Sequence, residues 1–280
     1  MKIGFIVESR YMRQEMPGAV MKALSKSGID VETLCPTGSY FEPETGVLIC
    51  EDGSRRNNLN DYDAIISRNR SLLGLAMLYY AETAGIMVIN THSSIQKVRN
   101  KAKMGIAMAI EGICSAPTFL ADHASALAGI MEKFSPLILK ATYGDNSQGL
   151  RVIRNPLDLG DLHWGSDLAL AQHFIPNNGL DLKLYVCGKD VFAVRKPSPL
   201  NGAANAAIEV IKPSNKMKEL AFKCGAVFGL DIYGVDTIET GNGPVVIEVN
   251  DFPNFTGIDG ADKLIADYIL KRVNNQGGKR

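Results

Sequence analysis

The chain lacks most of the features that by themselves decide a function. Its 30 Lys and Arg are balanced by 30 Asp and Glu, so it carries no formal net charge. Nucleic-acid binding needs a basic excess, and none is expected here. Cys35, Cys50, Cys114, Cys187 and Cys224 are scattered, odd in number and without a CxxC pair. That argues against a disulfide framework or a thiolate zinc site, and for reduced thiols in a cytoplasmic protein. No apolar run approaches the roughly 20 residues of a membrane span, so no membrane partner is expected. Ile3 to Val7 is followed at once by Glu8 and Arg10, the pattern of a first strand and not of a signal peptide. There is no GxSxG elbow and no GxxxxGK[ST] loop. Histidine is scarce, and His173 has no His or Cys at ligand spacing, which excludes an ordinary zinc site there. Internal repeats and low-complexity tracts are absent. What remains is a globular composition, 46% hydrophobic and 21% charged over 280 residues. That is enough for one large or two modest domains with an ample core.

Residues 1 to about 90 alternate strand and helix, which predicts a parallel α/β unit. Strands are expected at Ile3–Val7, Val31–Leu34, Ala64–Ser67 and Met87–Ile89. Helices are expected at Pro17–Lys26 and Ser71–Ala84, stopped by Gly28 and Gly85, with a small hairpin from Gly46 into the EDGS segment. Ligands of open parallel sheets sit beyond the C-terminal strand ends. Those ends carry Arg10, Arg68 and Arg70. Two readings stand level, an anionic ligand and a solvated basic loop. Ser94 is expected to cap one helix running to about Glu111, from which Lys97, Lys101 and Lys103 project.

Ser135–Ile153 reads as a strand, a loop of turn formers at Thr142–Gly149, and a returning strand. Lys140 directly follows Leu137, Ile138 and Leu139. Either the loop's N–H groups cradle phosphates and the lysine meets an anion, or this is a plain hairpin with a snorkelling lysine. Leu168–Ile175 is an apolar strand broken by Pro176. Asp181 opens two strands joined at Gly188–Lys189 and ending in Arg195–Lys196. Ser214–Phe228 is a helix whose Met217, Leu220, Ala221, Cys224, Val227 and Phe228 face the core. Asn274–Arg280 reads as a frayed polar tail.

The most informative stretch is Pro244–Gly257, PVVIEVNDFPNFTG. Side chains alternate along a strand, so Glu248 and Asn250 share a face. The acidic strand Asp231–Glu239 lies just upstream, and TGNGP separates the two as a hairpin turn. With those five residues as the loop, Glu239 pairs with Val245 and Asp236 lies opposite Glu248. Opposed carboxylates repel. A bound cation removes the penalty, and carboxylates with an amide oxygen suit a hard ion such as magnesium. The plainer alternative is a hairpin with surface acids.

The order of these features resembles the ATP-grasp superfamily, in particular its RimK-like carboxylate–amine ligases, over about Asn90–Gly257. The resemblance implies an α/β (α+β) chain with the ATP-grasp fold. It implies an N-terminal parallel α/β domain over 1–90, a central subdomain over 91–175 with a phosphate-covering loop, and a C-terminal subdomain over 176–280 with a magnesium site. It implies ATP and magnesium, two ions for which manganese can substitute. Lys101 and Lys140 match the lysines that hold phosphates, and the loop with Gly144, Ser147 and Gly149 matches the cover over them. Gln172, His173, Phe174 and Ile175 match the adenine hinge, and Asp181 an acid near the ribose. Arg195 matches an arginine facing the reacting phosphoryl group. Asp236, Glu248 and Asn250 match the magnesium ligands. Arg10, Arg68, Arg70, Asn205 and Asn254 are candidates for the substrate. The chain departs from relatives at His173, which replaces an acid, and at Lys183, which replaces the arginine of a D-x-R pattern. Ser198–Val210 lacks a basic TN-x-x-x-GG-like element, with Asn205 as its remnant, and FPNFTG replaces an SPG-like ending. The implied activity is ATP-dependent amide or peptide bond formation through an acyl phosphate, on an amino acid, a small acid or a peptide C-terminus. The implied assembly is a dimer or tetramer. Two alternatives stay open. One is a small-molecule kinase of the same superfamily, favoured by Phe252–Pro253 and the three arginines. The other is a nucleotide-binding module without chemistry.

Overall fold

The computed structural model describes residues 1–143, 150–160, 168–200 and 207–277. The chain opens with β1 (Lys2–Val7), α1 (Glu15–Lys26) and β2 (Asp30–Leu34). A small antiparallel sheet follows, of β3 (Ser39–Glu42), β4 (Val47–Cys50) and β5 (Arg56–Asn58). Then come β6 (Ala64–Arg68), α2 (Leu72–Thr83) and β7 (Met87–Ile89). The larger sheet is parallel, in the order β2-β1-β6-β7. Its inner strands β1 and β6 are buried on both faces because both are covered. Ile3, Phe5 and Val7 pack with Val20 and Leu24 of α1, while Ile6 and Ile65 pack with Leu75 and Leu78 of α2. The Ser71 hydroxyl accepts the Gly74 N–H at 3.0 Å and starts α2.

Two helices, α3 (His92–Arg99) and α4 (Lys101–Ile110), stand where the sequence pattern predicts one. Thr91 and not Ser94 caps the first, its hydroxyl accepting the Ser94 N–H at 3.2 Å. Asn100 breaks the run with ψ at 102°, and its Oδ1 accepts the Lys103 N–H at 2.9 Å. An amide side chain that bonds nearby backbone competes with the helix. The break leaves Lys101 at a helix start, where its N–H donates to the Thr142 carbonyl at 3.0 Å. After α4 come β8 (Thr118–Ala121), α5 (Met131–Phe134), β9 (Leu137–Lys140), β10 (Arg151–Ile153) and β11 (Ala169–His173). These strands form an antiparallel sheet in the order β10-β9-β11-β8, with its own core around Leu127, Met131, Leu139 and Ala171.

The last part contains β12 (Leu180–Cys187), β13 (Asp190–Pro197), β14 (Glu209–Ile211), α6 (Asn215–Phe228), β15 (Ile232–Thr240), β16 (Gly243–Asp251) and α7 (Ala261–Gly277). Its antiparallel sheet runs β14-β13-β12-β15-β16. Ala221, Cys224 and Phe228 of α6 cover one face against Leu184, Val186 and Val235. On the other face Tyr185, Cys187 and Ile232 share a core with α7 and with Phe5 and Val20 of the first unit. Helix α7 continues through Asn274 to Gly277, where the composition predicts a frayed tail. Ile265, Ile269 and Val273 are buried one turn apart and dock it. Among the described residues no helix is long and apolar enough to cross a membrane.

Asn90 ties the parallel sheet to the start of β15. Its Nδ2 donates to the Ile232 carbonyl at 2.7 Å, and its Oδ1 accepts the N–H groups of Asp231 at 2.7 Å and Ile232 at 3.0 Å. Asn90→Ala leaves those buried groups unsatisfied, at a cost of about 2–4 kcal/mol. A drop of that size in the denaturant-unfolding free energy is the expected result.

Candidate active site

A cavity of about 460 Å³ lies between the β10-β9-β11-β8 sheet, the β14-β13-β12-β15-β16 sheet and the C-terminal end of β6. Its described wall carries Arg68, Arg70, Lys101, Lys140, Lys183 and Lys196 against Asp181, Asp236 and Glu248. The cationic excess suits a polyanion such as a nucleotide phosphate tail.

The acidic wall comes from β15 and β16. Asp236 lies opposite Glu248 and Gly234 opposite Asn250, so the three polar side chains share a face. The pairing of Asp236 with Glu248 agrees with the sequence pattern, although the route differs. The turn is tighter, Glu239 pairs with Pro244 and not Val245, and a bulge beside Asp236 takes up Ile247 as the extra residue. The two carboxylates are each met by a lysine. Lys183 Nζ lies 2.7 and 2.8 Å from the two Asp236 oxygens, and Lys101 Nζ donates to Glu248 Oε1. Burial alone would lower the Lys183 ammonium, but the attraction and hydrogen bonding of Asp236 outweigh it and raise it. Asn250 Nδ2 donates to Asp236 Oδ2 at 3.3 Å. Among the described residues no cluster of three His, Cys, Asp or Glu side chains is present. The set here is two carboxylates and an amide. With the Asn250 amide turned over it offers three hard oxygens, leaving positions for phosphate and water. That donor set fits magnesium.

Lys140 ends β9 and is buried, and its Nζ donates to Gln172 Oε1 at 2.5 Å. The Gln172 amide in turn donates to Thr118 Oγ1 and the Ile247 carbonyl, both at 3.4 Å. Gln172 therefore acts through its side chain, holding the lysine. Desolvation pushes the Lys140 ammonium down to about 8, and Glu248 offsets it only in part. The N–H groups of His173 and Phe174 are taken by the carbonyls of Pro117 and Pro136 at 2.8 and 2.9 Å. His173, Phe174 and Ile175 line the cavity. Asp181 lines it too, its carboxyl raised by burial, and Asn177 donates to it at 3.1 Å.

Arg195 is not brought to the cavity. The register pairs Arg195 with Leu182 and Glu209, and Lys196 with Asp181. Alternation therefore sends the two side chains to opposite faces. Arg195 forms ion pairs with Glu239 at 2.7 Å and Glu209 at 3.3 Å. Its neighbour Lys196 lines the cavity, lowered to about 8 by burial and by the adjacent Lys183. Sequence reasoning missed Lys196 because cross-strand register decides which of two adjacent cations faces the ligand.

The strand-end arginines divide. Arg10 is an exposed residue of the loop after β1, paired with Glu8 at 2.8 Å, and is not part of the cavity wall. Arg68 and Arg70 are, as is Asn254. Arg68 donates to the Phe252 carbonyl at 2.6 Å, to Gln14 Oε1 at 2.9 Å and to Asn254 Oδ1 at 3.4 Å. The FPNF turn that carries Asn254 holds Phe252 at φ 39° and Phe255 at φ 50°, a conformation non-glycine residues seldom adopt. Both rings are buried, and Phe255 stacks on Tyr185 with centroids 5.1 Å apart. That packing keeps Pro253 and Asn254 in the wall. Gly144, Ser147, Gly149 and Asn205 lie outside the described residues.

A lysine that meets a polyphosphate does so as the ammonium, and Lys140 lines the cavity. The free lysine loses its proton through about pH 8, so nucleotide affinity is expected to be full below that pH and to fall above it. An ATP titration between pH 7 and 9.5 checks this, and Lys140→Arg, which stays charged, should flatten the profile.

The sequence model of the RimK-like ATP-grasp domain matches residues 85–272. Among curated proteins, the one named Probable alpha-L-glutamate ligase 2 from Shewanella sp. (strain W3-18-1) is 24% identical, over 91% of this chain and 89% of its own length. Among solved structures, the RimK domain ATP-grasp protein of Sphaerobacter thermophilus superposes with a TM-score of 0.73 at 18% identity, covering 96% of this chain and all of its own. D-alanyl-alanine synthetase A of Vibrio cholerae gives 0.76 at 14% identity, with 98% of each chain covered. The ATP-grasp ligase PsnB, complexed with minimal precursor, Mg and ADP, gives 0.70 at 16% identity and 97% of each. These likenesses establish the ATP-grasp fold.

Proposed function

This chain belongs to the RimK-like ATP-grasp domain family and is an ATP-dependent carboxylate–amine ligase, and from that premise we propose how its cavity performs the reaction and on what. The observation that carries the reading is the one cavity into which Asp236, Glu248 and Asn250 are brought together with Lys101, Lys140, Lys183 and Lys196. A carboxylate resists amine attack because oxide is a poor leaving group. Transfer of the γ-phosphoryl group of ATP to the acid gives an acyl phosphate and ADP. The amine nitrogen then adds to the acyl carbon, the C–O bond breaks with its electron pair leaving on phosphate, and the nitrogen gives up a proton.

Phosphoryl transfer asks the protein for positioning and charge neutralisation. Lys101 and Lys140 neutralise the phosphate tail, with Gln172 fixing the Lys140 ammonium. Phe174 and Ile175 bracket the adenine, and Asp181 meets the ribose. Lys196 and Lys183 take the part that the resemblance assigned to Arg195. They stabilise charge on the transferred group and on the oxyanion formed when the amine adds. Asp236, Glu248 and Asn250 would hold magnesium, as two ions for which manganese substitutes; when bound it neutralises phosphate charge. In this reading residues 1–90 supply the substrate wall, 91–175 the cover over ATP and 176–280 the acidic wall.

Arg68 and Arg70 support an anionic substrate, and the name of the Shewanella relative supports L-glutamate as that substrate. Its partner is a small acid or a peptide C-terminus. Arg70→Ala should raise the KM for glutamate about tenfold or more and leave the KM for ATP within about twofold. Steady-state ADP release measures both. The deciding experiment is magnesium-dependent ADP release with L-glutamate against a panel of carboxylates and amines, with product masses. A mass equal to acid plus amine minus water carries the reading. A phosphorylated alcohol formed without any amine would replace it with a kinase.

A further inference from the structure

Asp251 follows Asn250 at the end of β16 and, by strand alternation, points away from the acidic wall. It is 3% exposed and takes no part in the cavity lining. Two guanidinium groups approach its carboxylate. Arg99, the last residue of α3 and only 5% exposed, places NH2 3.4 Å from Oδ2. Arg70, which does line the cavity, places NH2 3.9 Å from Oδ1. Burial alone would raise this carboxyl, but the charges of Arg99, Arg70 and Arg68 outweigh it and hold it below the ordinary carboxylate range.

The arrangement is not one that stability favours. Buried ion pairs repay their desolvation only when every polar atom is matched. Here, among the described residues, Arg99 Nε and NH1 and Asp251 Oδ1 are buried without a hydrogen-bond partner. An apolar trio of the same volume would cost less. What the charges do supply is orientation. Asp251 connects a fixed, buried cation, Arg99, to one that lines the cavity, Arg70.

We infer that Asp251 and Arg99 are positioning residues for an acidic-substrate subsite, in which Asp251, fixed by Arg99, aims Arg70 at a carboxylate of an acidic amino acid. The inference rests on the ligase reading for the identity of that substrate. It makes a prediction whose sign discriminates. Removing the Asp251 charge would strengthen anion binding if only the local field mattered, whereas loss of aim weakens it.

The test is the dissociation constant of L-glutamate, and of L-glutamine as its neutral isostere, for the full chain saturated with a non-hydrolysable ATP analogue and magnesium. The wild-type chain is expected to prefer glutamate at least about tenfold, and Asp251→Asn and Arg99→Lys to remove most of that preference. In an Arg70→Ala background the preference is already lost, and Asp251→Asn should change it by less than about twofold, the mark of acting through Arg70. Thermal melts confirm that the variants fold; Arg99→Lys, which keeps the buried charge, carries the test if Asp251→Asn does not. A preference unchanged or increased in the folded variants overturns the inference. So does an undiminished Asp251→Asn effect in the Arg70→Ala background. ADP release is followed separately. Its absence while the glutamate preference stands counts against the ligase reading and leaves the subsite in place.

Discussion

Glu248→Gln is expected to reduce turnover by on the order of 10³-fold or more while the protein stays folded. The substitution keeps the shape of the side chain and deletes one of the two carboxylates of the acidic wall. The remaining set, Asp236 with two amides, has half the negative charge to offer a divalent ion. Lys101 loses its counter-charge at the same time, so the wall proposed to bind phosphate is altered on both sides. Stability should hardly move. The side chains of the pair are 11% and 22% exposed, at the edge of an open cavity. Ion pairs that solvent reaches contribute about 0–1 kcal/mol, and in a chain of this size that is a Tm change of at most about 2–4 °C. ADP release and a thermal melt on the same preparation check both halves. Near wild-type turnover in the folded variant would remove Glu248 from the proposed metal site.

The second large effect is a contrast between neighbours. Lys196→Ala is expected to lower kcat by about 10²–10³-fold, the usual loss when a charge aimed at a developing oxyanion is removed. Arg195→Ala should leave kcat within about threefold and cost at most about 1 kcal/mol of stability, because Arg195 spends its guanidinium on Glu239 and Glu209 at the surface of the other face. Steady-state kinetics and denaturant melts on the pair of variants are sufficient. A large loss with Arg195→Ala and none with Lys196→Ala would show that the sheet presents the opposite face to ATP.

What the sequence shows most directly is whatever depends on short-range periodicity. Ile3–Val7 reads as a strand because apolar runs covered on both faces look alike wherever they occur, and the structure has it as β1. The Asp236–Glu248 pairing is legible because a turn and two alternating strands constrain each other over a short stretch of chain. Even there, a tighter turn and a bulge offset each other, and the pairing comes out right by a path the pattern does not contain. The break at Asn100 is missed for a related reason. The apolar spacing continues across it, and only the bond from the Asn100 side chain to the Lys103 backbone interrupts the helix.

By itself, then, the sequence determines the class of fold, the acidic wall and the lysine at the end of β9, since each follows from local chain geometry and the residue types that bear it. The tertiary structure alone decides that Lys196 and not Arg195 faces the cavity, because adjacent strand residues differ only in which side the neighbouring strand turns toward the ligand. It also decides that Arg10 stays with Glu8 while Arg68 and Arg70 enter the wall. Finally, it brings Arg99 to Asp251 across 152 residues of chain. No periodicity records such a meeting. Its desolvation is tolerated only because the rest of the fold packs around it.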